Sequence, residues 1–245
     1  MRVIHENEPP IRLAGLSKSF GTLNVLDGLD LEFRPGETTA VIGPNGAGKT
    51  TMIKSILGLV KPSSGEIRVL GESVADGHTY REHIGYMPQA PAFPENLSGR
   101  EVIGLLHTFR HRRGAAELEL LRRFGLDGEL DKPVRTLSGG TRQKLSAVLA
   151  FMFEPAILIL DEPTAGLDPV ASAALKDYVH ERAEAGATVV LTSHVMADLE
   201  ELCDRVVFLM DGRSRFDGPL DALRATTGET RLERAIAQLL QKEVA

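Results

Sequence analysis

Residues 38–57 read TTAVIGPNGAGKTTMIKSIL, and this stretch decides the fold of the chain. Its first five residues are β-branched or apolar, which predicts a short buried strand. Its last part has apolar residues at Met52, Ile53, Ile56 and Leu57, a spacing that predicts a helix. Between them, residues 43–50 match the pattern G-x-x-x-x-G-K-[ST] of a phosphate-binding loop, in the strand-to-helix context that this loop requires.

The residue types of this loop fit phosphate chemistry. Gly43, Gly46 and Gly48 allow backbone turns that are closed to other residues, so successive N–H groups can face phosphate oxygens. The helix that starts near Lys49 adds unpaired N–H groups and the positive end of its dipole. We expect Lys49 to reach the β- and γ-phosphates and the Thr50 hydroxyl to ligate Mg²⁺. The alternative is a glycine-rich turn that happens to carry a lysine.

The composition is that of a globular protein. The chain has 245 residues, 42% hydrophobic and 25% charged, which suits one large or two small domains. Its net charge of -6 argues against nucleic acid as a partner, since that usually requires a basic face. The single cysteine, Cys203, excludes an intrachain disulfide and lies among apolar neighbours, which favours a buried side chain.

The sequence also indicates where in the cell the protein is located. No stretch approaches the roughly 18 apolar residues of a membrane span. Residues 1–13 carry acids and a proline pair where a signal peptide has an apolar run. We therefore expect a cytoplasmic protein that reaches a membrane only through a partner.

Patterns along the rest of the chain predict an α/β fold with a mostly parallel core sheet. Residues 11–33 alternate around turns, as in an antiparallel β subdomain. Further strands are predicted at residues 84–87 and 205–210, and buried strands at 157–160 and 188–192. Helical periodicity over about residues 90–153 indicates an inserted helical subdomain. We expect one domain at residues 1–225 and a C-terminal amphipathic helical tail at 226–245, with Leu232, Ile236, Leu239 and Leu240 packed on the body.

Polar residues follow several of these strands. Asp161 and Glu162 end one strand and His194 follows the next. Because ligands bind beyond the carboxyl ends of parallel strands, we expect them to meet Lys49 and Thr50 at one phosphate site. Side chains alternate along a strand, so one acid is predicted to face a metal and the other a water. The glycine pair after Ser138, at a predicted helix start, is a second possible anion site.

Together these residues resemble the ATP-binding subunits of ABC transporters over about residues 11–225. Residues 137–140, LSGG, are similar to the signature motif of that family, residues 43–50 to its Walker A motif and residues 157–162 to its Walker B motif. Gln89 corresponds to the glutamine loop, residues 165–168 to the D-loop, and His194 to the switch histidine. Phe20 lies where the family places an aromatic residue that stacks on adenine.

The resemblance implies the P-loop ABC ATPase fold, with ATP and Mg²⁺ as cofactors. Lys49, Glu162 and His194 would act in hydrolysis, with Glu162 as general base on the attacking water and His194 in contact with the γ-phosphate. Thr50, Gln89 and Asp161 would place Mg²⁺. The remaining residues implied in ATP binding are Phe20, Gly43, Pro44, Asn45, Gly46, Ala47, Gly48, Thr51, Ser138, Gly139 and Gly140.

In this family two subunits meet head to tail, and the signature motif of one covers the ATP held by the other. The resemblance therefore implies a second copy of the chain as partner, with Ser138, Gly139 and Gly140 acting in trans in a homodimer. Two positions depart from the family pattern. Phe20 stands where Tyr is common, and Thr141 stands where Gln commonly follows the signature glycines. Since Glu162 and His194 are both present, an active subunit is expected rather than a degenerate one.

The resemblance also implies an integral membrane subunit. We expect it to dock between Gln89 and Glu101, where Phe93, Pro94 and Leu97 are apolar, and to hold the chain on the cytoplasmic face of the inner membrane. Residues 86–101 are similar to the ATPases of NosDFY-type transporters, which are associated with maturation of the copper centres of nitrous oxide reductase and imply a periplasmic accessory protein. The alternative function is a soluble ABC ATPase for cofactor or cluster assembly without transport.

Overall fold

The computed structural model describes residues 8–242, with side chains as far as residue 239. The expectations about residues 1–7, about the Leu240 side chain and about residues 243–245 lie outside the described residues. Within residues 8–242, no helix has the length and apolar character needed to cross a membrane.

Two sheets form the framework. Their strands, in chain order, are β1 (Ile11–Phe20), β2 (Leu23–Phe33), β3 (Thr38–Ile42), β4 (Ser64–Val69), β5 (Glu72–Ser73), β6 (Ile84–Met87), β7 (Ile157–Asp161), β8 (Thr188–Thr192), β9 (Arg205–Met210) and β10 (Arg213–Pro219). The smaller sheet has the order β2-β1-β4-β5 and is antiparallel. The larger has the order β10-β9-β3-β8-β7-β6, and only β10 runs antiparallel to its neighbour. This arrangement confirms the predicted α/β class with its two kinds of sheet.

The central strands are apolar because both of their faces are covered. Every residue of β3, β7 and β8 is buried. Alternate residues of these strands enter two different cores: Val41 packs with the smaller sheet, while Ala40 and Ile42 pack on the opposite side. The fully buried runs in the sequence therefore reflect a sheet sandwiched between two layers.

Eight helices cover the strands within the described residues. They are α1 (Lys49–Ile56), α2 (Gly99–Arg110), α3 (Glu117–Arg123), α4 (Gly139–Phe151), α5 (Pro169–Glu184), α6 (Met196–Leu202), α7 (Leu220–Thr227) and α8 (Leu232–Lys242). Helices α2, α3 and α4 lie in the chain between β6 and β7, where a helical segment was expected. The start of α2 is fixed by a capping box, in which Ser98 accepts from the Glu101 amide and the Glu101 carboxylate accepts from the Ser98 amide.

The last helix packs on the body of the chain. Leu232 and Ala235 of α8 are fully buried, and Ile236 and Leu239 pack against the same core. The Leu232 amide donates to the Glu200 carboxylate of α6 at 2.9 Å. Helix α7 runs across residue 225, the predicted domain boundary, which stays a prediction.

Candidate nucleotide site

The phosphate loop joins the end of β3 to the start of α1. Gly43, Gly46 and Gly48 have φ values of 152°, 83° and 103°, a region that favours glycine. Space requires glycine as well. A Cβ on Gly43 would lie 2.1 Å from the carbonyl oxygen of Leu209, and a Cβ on Gly48 would lie 2.6 Å from the Leu26 side chain. The loop is therefore pressed against β9 and β2, and its shape depends on these two glycines.

Lys49 is folded over this loop. Its Nζ donates to the Gly43 carbonyl at 2.6 Å and to the Pro44 carbonyl at 3.1 Å. Burial lowers the pKa of Lys49, while the charges of Glu162 and Asp161 act in the opposite direction. The ammonium group is thus partly desolvated and faces two carboxylates, so a bound phosphate would be a favourable partner for it.

The acid pair lies at the end of β7. Asp161 and Glu162 are only 6% and 8% exposed, although both are carboxylates. Glu162 has a φ of 51°, a left-handed conformation that costs a non-glycine residue about 1–3 kcal/mol. The two adjacent carboxyl groups have different partners, because Asp161 Oδ1 accepts from the Thr192 hydroxyl and Glu162 Oε2 accepts from the His194 amide. The predicted division of roles between the two acids is compatible with that geometry and stays a prediction.

His194 contacts Glu162 through both backbone and side chain. The His194 amide donates to Glu162 Oε2 at 3.1 Å, and His194 Nε2 lies 3.3 Å from Oε1. The side chain of His194 is 60% exposed, whereas that of Glu162 is 11% exposed. One end of the Glu162 carboxylate is therefore held by the backbone after β8, and the other faces a residue at the mouth of the cleft.

One cavity of about 200 Å³ gathers most of the predicted residues. The strand order explains the convergence, because β8 lies between β3 and β7 and all three strands run parallel. The lining residues are Val25, Asn45, Gly46, Ala47, Gly48, Lys49, Thr50, Thr51, Gln89, Asp161, Glu162 and His194. Val25 had not been predicted. Its place in the cleft comes from β2, which sequence periodicity assigned only to a strand.

Several predicted nucleotide residues do not line this cavity. Gly43 and Pro44 contribute carbonyls to Lys49 instead. Phe20 lies at the end of β1, 51% exposed, with the Lys18 ammonium 4.7 Å from its ring centroid. The ring is therefore half-exposed outside the hydrophobic core, with the Lys18 ammonium over one face.

Residues 138–140 also lie outside the cavity. Ser138 caps α4, since its hydroxyl accepts from the Thr141 amide at 3.1 Å and lies 2.8 Å from the Thr141 hydroxyl. Ser138 and Gly139 are exposed. A Cβ on Gly140 would lie 2.9 Å from the Gly166 carbonyl. Ser138 and Gly139 are therefore presented to solvent and Gly140 is half-buried near Gly166, and none of the three lines the cleft of its own chain.

The start of α4 is held by the segment that follows the acid pair. The Lys144 ammonium pairs with Asp168 at 2.6 Å, and Gln143 Nε2 donates to the Pro163 carbonyl at 3.4 Å. Asp168 in turn caps α5 through the Ala171 amide. The LSGG segment is thus linked structurally to residues 163–168, although it does not line the cleft.

The residues present fit Mg²⁺ and a nucleoside triphosphate. A hydroxyl, an amide oxygen and a carboxylate, from Thr50, Gln89 and Asp161, line the same cavity. These are the hard oxygen donors that Mg²⁺ prefers. The backbone amides of a glycine-rich loop and of the start of α1 suit phosphate oxygens.

Comparisons with known proteins agree with this geometry. A strand, a glycine-rich loop and a helix, followed by an acid pair on a parallel strand, define a P-loop nucleotide-binding protein. Residues 26–165 match the family described as ABC transporter. The chain belongs to this family and is one of its ATPases.

Two groups of relatives support the assignment. The Daunorubicin resistance ATP-binding protein DrrA3 of Streptomyces coeruleorubidus is 40% identical over 91% of this chain and 72% of its own length. A solved structure of the ATP-binding subunit of an ABC transporter superposes with a TM-score of 0.89 and 36% identity, covering 94% of this chain and 99% of that one. The dimeric structure of a post-hydrolysis state of an ATP-binding cassette, bound to ADP and Pi, has a TM-score of 0.77 at 26% identity, covering 86% and 98% of the two chains.

Proposed function

We propose that this chain is the ATP-hydrolysing motor subunit of an ABC transporter, which closes head to tail with a second copy around two molecules of Mg-ATP. The observation that carries the proposal is the cleft in which Lys49, Asp161, Glu162 and His194 meet while Ser138 and Gly139 stay exposed outside it. The cleft is one half of a nucleotide site, and the exposed LSGG segment outside it is the other half. A two-fold dimer brings such halves together twice.

In this dimer the chain's own groups carry the chemistry. Lys49 and the loop amides neutralise phosphate charge, and Glu162 accepts a proton from the attacking water. His194 and the backbone after β8 hold the Glu162 carboxylate in place. Thr50, Gln89 and Asp161 would hold Mg²⁺, which would stabilise the negative charge of the phosphates. Ser138, Gly139 and Gly140 of the second copy would cover the ATP from the other side.

The membrane subunit docks, in this proposal, in an apolar groove of about 430 Å³ beside the helical segment. The predicted segment between Gln89 and Glu101 contributes Phe93 and Pro94, but the groove continues along α2 through Val102, Leu105 and Phe109. Phe109 is 74% exposed. Tyr86 lines the same groove, and its pKa is raised by burial and by the charge of Asp161. The groove and the acid pair are therefore neighbours across β6 and β7.

Co-purification tests the docking. The tagged chain is isolated from detergent-solubilised membranes of its own source, as wild type, as Phe109→Glu and as Leu118→Glu. Leu118 is a matched control because it is 68% exposed on α3 and does not line the groove. We expect a stoichiometric multi-span subunit with the wild type and with Leu118→Glu, and its loss with Phe109→Glu. Recovery of soluble partners only would contradict transport and favour the assembly ATPase.

The identity of that subunit also tests the narrower candidate, a NosDFY-type system for copper-site maturation. This candidate rests on the resemblance of residues 86–101 alone. It predicts that a periplasmic accessory protein accompanies the membrane subunit, and it places the chain on the cytoplasmic face of the inner membrane. A membrane subunit that co-purifies without such a protein would contradict it and leave the motor function intact.

A further inference from the structure

Thr192 is the last residue of β8, and its hydroxyl has no role in forming a strand. A Val at this position would suit a buried parallel strand equally well. The side chain is 1% exposed, and the register of the sheet places Thr192 directly opposite Asp161 of β7. A buried hydroxyl beside an acid pair therefore calls for a partner.

The hydroxyl contacts both acids of the pair. Thr192 Oγ1 donates to Asp161 Oδ1 at 2.5 Å and accepts from the Glu162 amide at 3.2 Å. The Glu162 amide also donates to the Thr192 carbonyl at 3.1 Å. One residue thus orients the Asp161 carboxylate and holds the amide of the residue whose φ is 51°.

The direction of these bonds matters. Because the Thr192 hydroxyl donates its hydrogen bond to Asp161, its oxygen lone pairs can accept the hydrogen bond from the Glu162 amide. The two contacts therefore reinforce one another. Oδ1 of Asp161 is occupied by Thr192, and the other carboxylate oxygen remains for a ligand in the cleft. The left-handed turn at Glu162 is stabilised by two acceptors from the end of β8.

We propose that Thr192 is a positioning residue that fixes both carboxylates, Asp161 for the metal and Glu162 for the attacking water. The inference rests on the proposed function, because it concerns the same Mg-ATP site. It predicts that the Thr192 hydroxyl governs turnover and metal affinity more than it governs nucleotide affinity.

The chain offers a matched control on the same strand. Thr188 begins β8, is also 1% exposed, and its hydroxyl donates to the Arg34 carbonyl at 3.0 Å. Thr188→Val therefore also removes a buried hydroxyl, at the opposite end of the strand, with the loss of one hydrogen bond where Thr192→Val loses two. Any general cost of losing a buried hydroxyl should be seen in both variants.

The test compares the wild type, Thr192→Val, Thr192→Ser and Thr188→Val as purified full chains. Steady-state ATPase assays should show kcat lowered about 10–100-fold in Thr192→Val, as for other residues that orient metal ligands, with KM for ATP changed less than about threefold. Thr192→Ser keeps the hydroxyl and should recover most of the rate. Thr188→Val should hydrolyse ATP like the wild type.

Two further readouts do not depend on turnover. Mn²⁺ affinity in the presence of ATP, measured by electron paramagnetic resonance, should weaken about tenfold in Thr192→Val and not in Thr188→Val. In the chain without nucleotide, hydrogen exchange of peptides covering residues 161–164 should accelerate only in Thr192→Val, because the Glu162 amide loses an acceptor. If Thr192→Val melts well below Thr188→Val, Thr192→Ala replaces it, since its smaller side chain leaves room for a water.

Equal kcat, Mn²⁺ affinity and exchange in the two Val variants would overturn the role of Thr192 while leaving the ATPase function in place. A failure of the proposed function is distinguishable, since the wild type itself would then not hydrolyse ATP.

Discussion

The phosphate loop and the LSGG segment are both glycine-rich turns at the start of a helix, yet their surroundings differ. The loop is enclosed: a Cβ on Gly43 would strike β9, and a Cβ on Gly48 would strike Leu26 of β2. The LSGG segment is open at Gly139, where a Cβ would meet no atom within 4 Å, whereas a Cβ on Gly140 would lie 2.9 Å from the Gly166 carbonyl. Glycine in the loop is required by the chain's own packing. Glycine at 139 has no such reason within one chain, and in the proposed dimer this position faces the second copy.

The enclosed half of the site is the cleft with the phosphate loop and the acid pair, and the open half is the LSGG segment. Of the substitutions considered, the one at the acid pair is expected to have the largest effect. Glu162→Gln removes the proposed base, so kcat should fall about 10²–10⁴-fold while ATP affinity changes little. Steady-state assays and size-exclusion chromatography with ATP measure both, and the variant should accumulate as an ATP-bound dimer. Glu119→Gln, an exposed carboxylate on α3, is the control and should behave as the wild type. A fully active Glu162→Gln would show that another group takes the proton.

Two glycine substitutions test the contrast between the enclosed phosphate loop and the open LSGG segment directly. Gly43→Ala places a methyl group against the Leu209 carbonyl and should lower the free energy of unfolding by about 1–3 kcal/mol. Gly139→Ala meets no atom and is at a helical position where Ala is favoured over Gly, so stability should be unchanged or slightly higher. Thermal unfolding measures both.

The ATPase rate tests Gly139 independently of stability. Gly139→Ala should still lower the rate, by about tenfold, because the added methyl group lies where the partner's ATP approaches. If Gly139→Ala is as active as the wild type, the open surface of the LSGG segment does not contact a nucleotide.

A smaller effect is expected from pH. Burial holds the pKa of Lys49 below its ordinary value of 10.5, and phosphate binding requires the charged form. ATP affinity should therefore be complete below the lowered pKa and fall as the pH rises through it, by up to about tenfold per pH unit. Calorimetric titration at successive pH values measures this slope. In Lys49→Arg, whose guanidinium stays charged, the slope should vanish, and an equal slope in both proteins would assign the titration to another group.

Much of the enclosed half could be predicted from sequence because its signals are local. The loop and its flanks occupy 20 consecutive residues, and the strand–loop–helix prediction is confirmed by β3 and α1. The Ser138 cap and the burial of Cys203 were likewise predicted from neighbouring residues in the sequence, and the structure confirms both. Burial also raises the pKa of the Cys203 thiol, as expected for an inert buried cysteine.

The rest depends on contacts between distant residues. From the sequence alone, Thr192 is only a β-branched residue of a strand. Its contact with Asp161 depends on the register of β7 and β8, which places the two residues opposite each other. The left-handed turn at Glu162 has no sequence signal, since it is stabilised by that same neighbouring strand. The apolar groove extends beyond the segment predicted to dock a membrane subunit, because Val102, Leu105 and Phe109 join it through the periodicity of α2, and docking there stays a prediction.

The most direct measurement mixes two inactive chains. Lys49→Ala impairs the enclosed half of the site, and Gly139→Asp impairs the open half by placing a negative charge near the partner's phosphates. If the halves come from different copies, about half of the dimers in an equal mixture contain one chain of each kind, and each of these has one complete site. We predict that the mixture recovers up to roughly a quarter of the wild-type ATPase rate, although each variant alone is nearly inactive. A mixture no more active than the sum of its parts would contradict a nucleotide site shared between two copies.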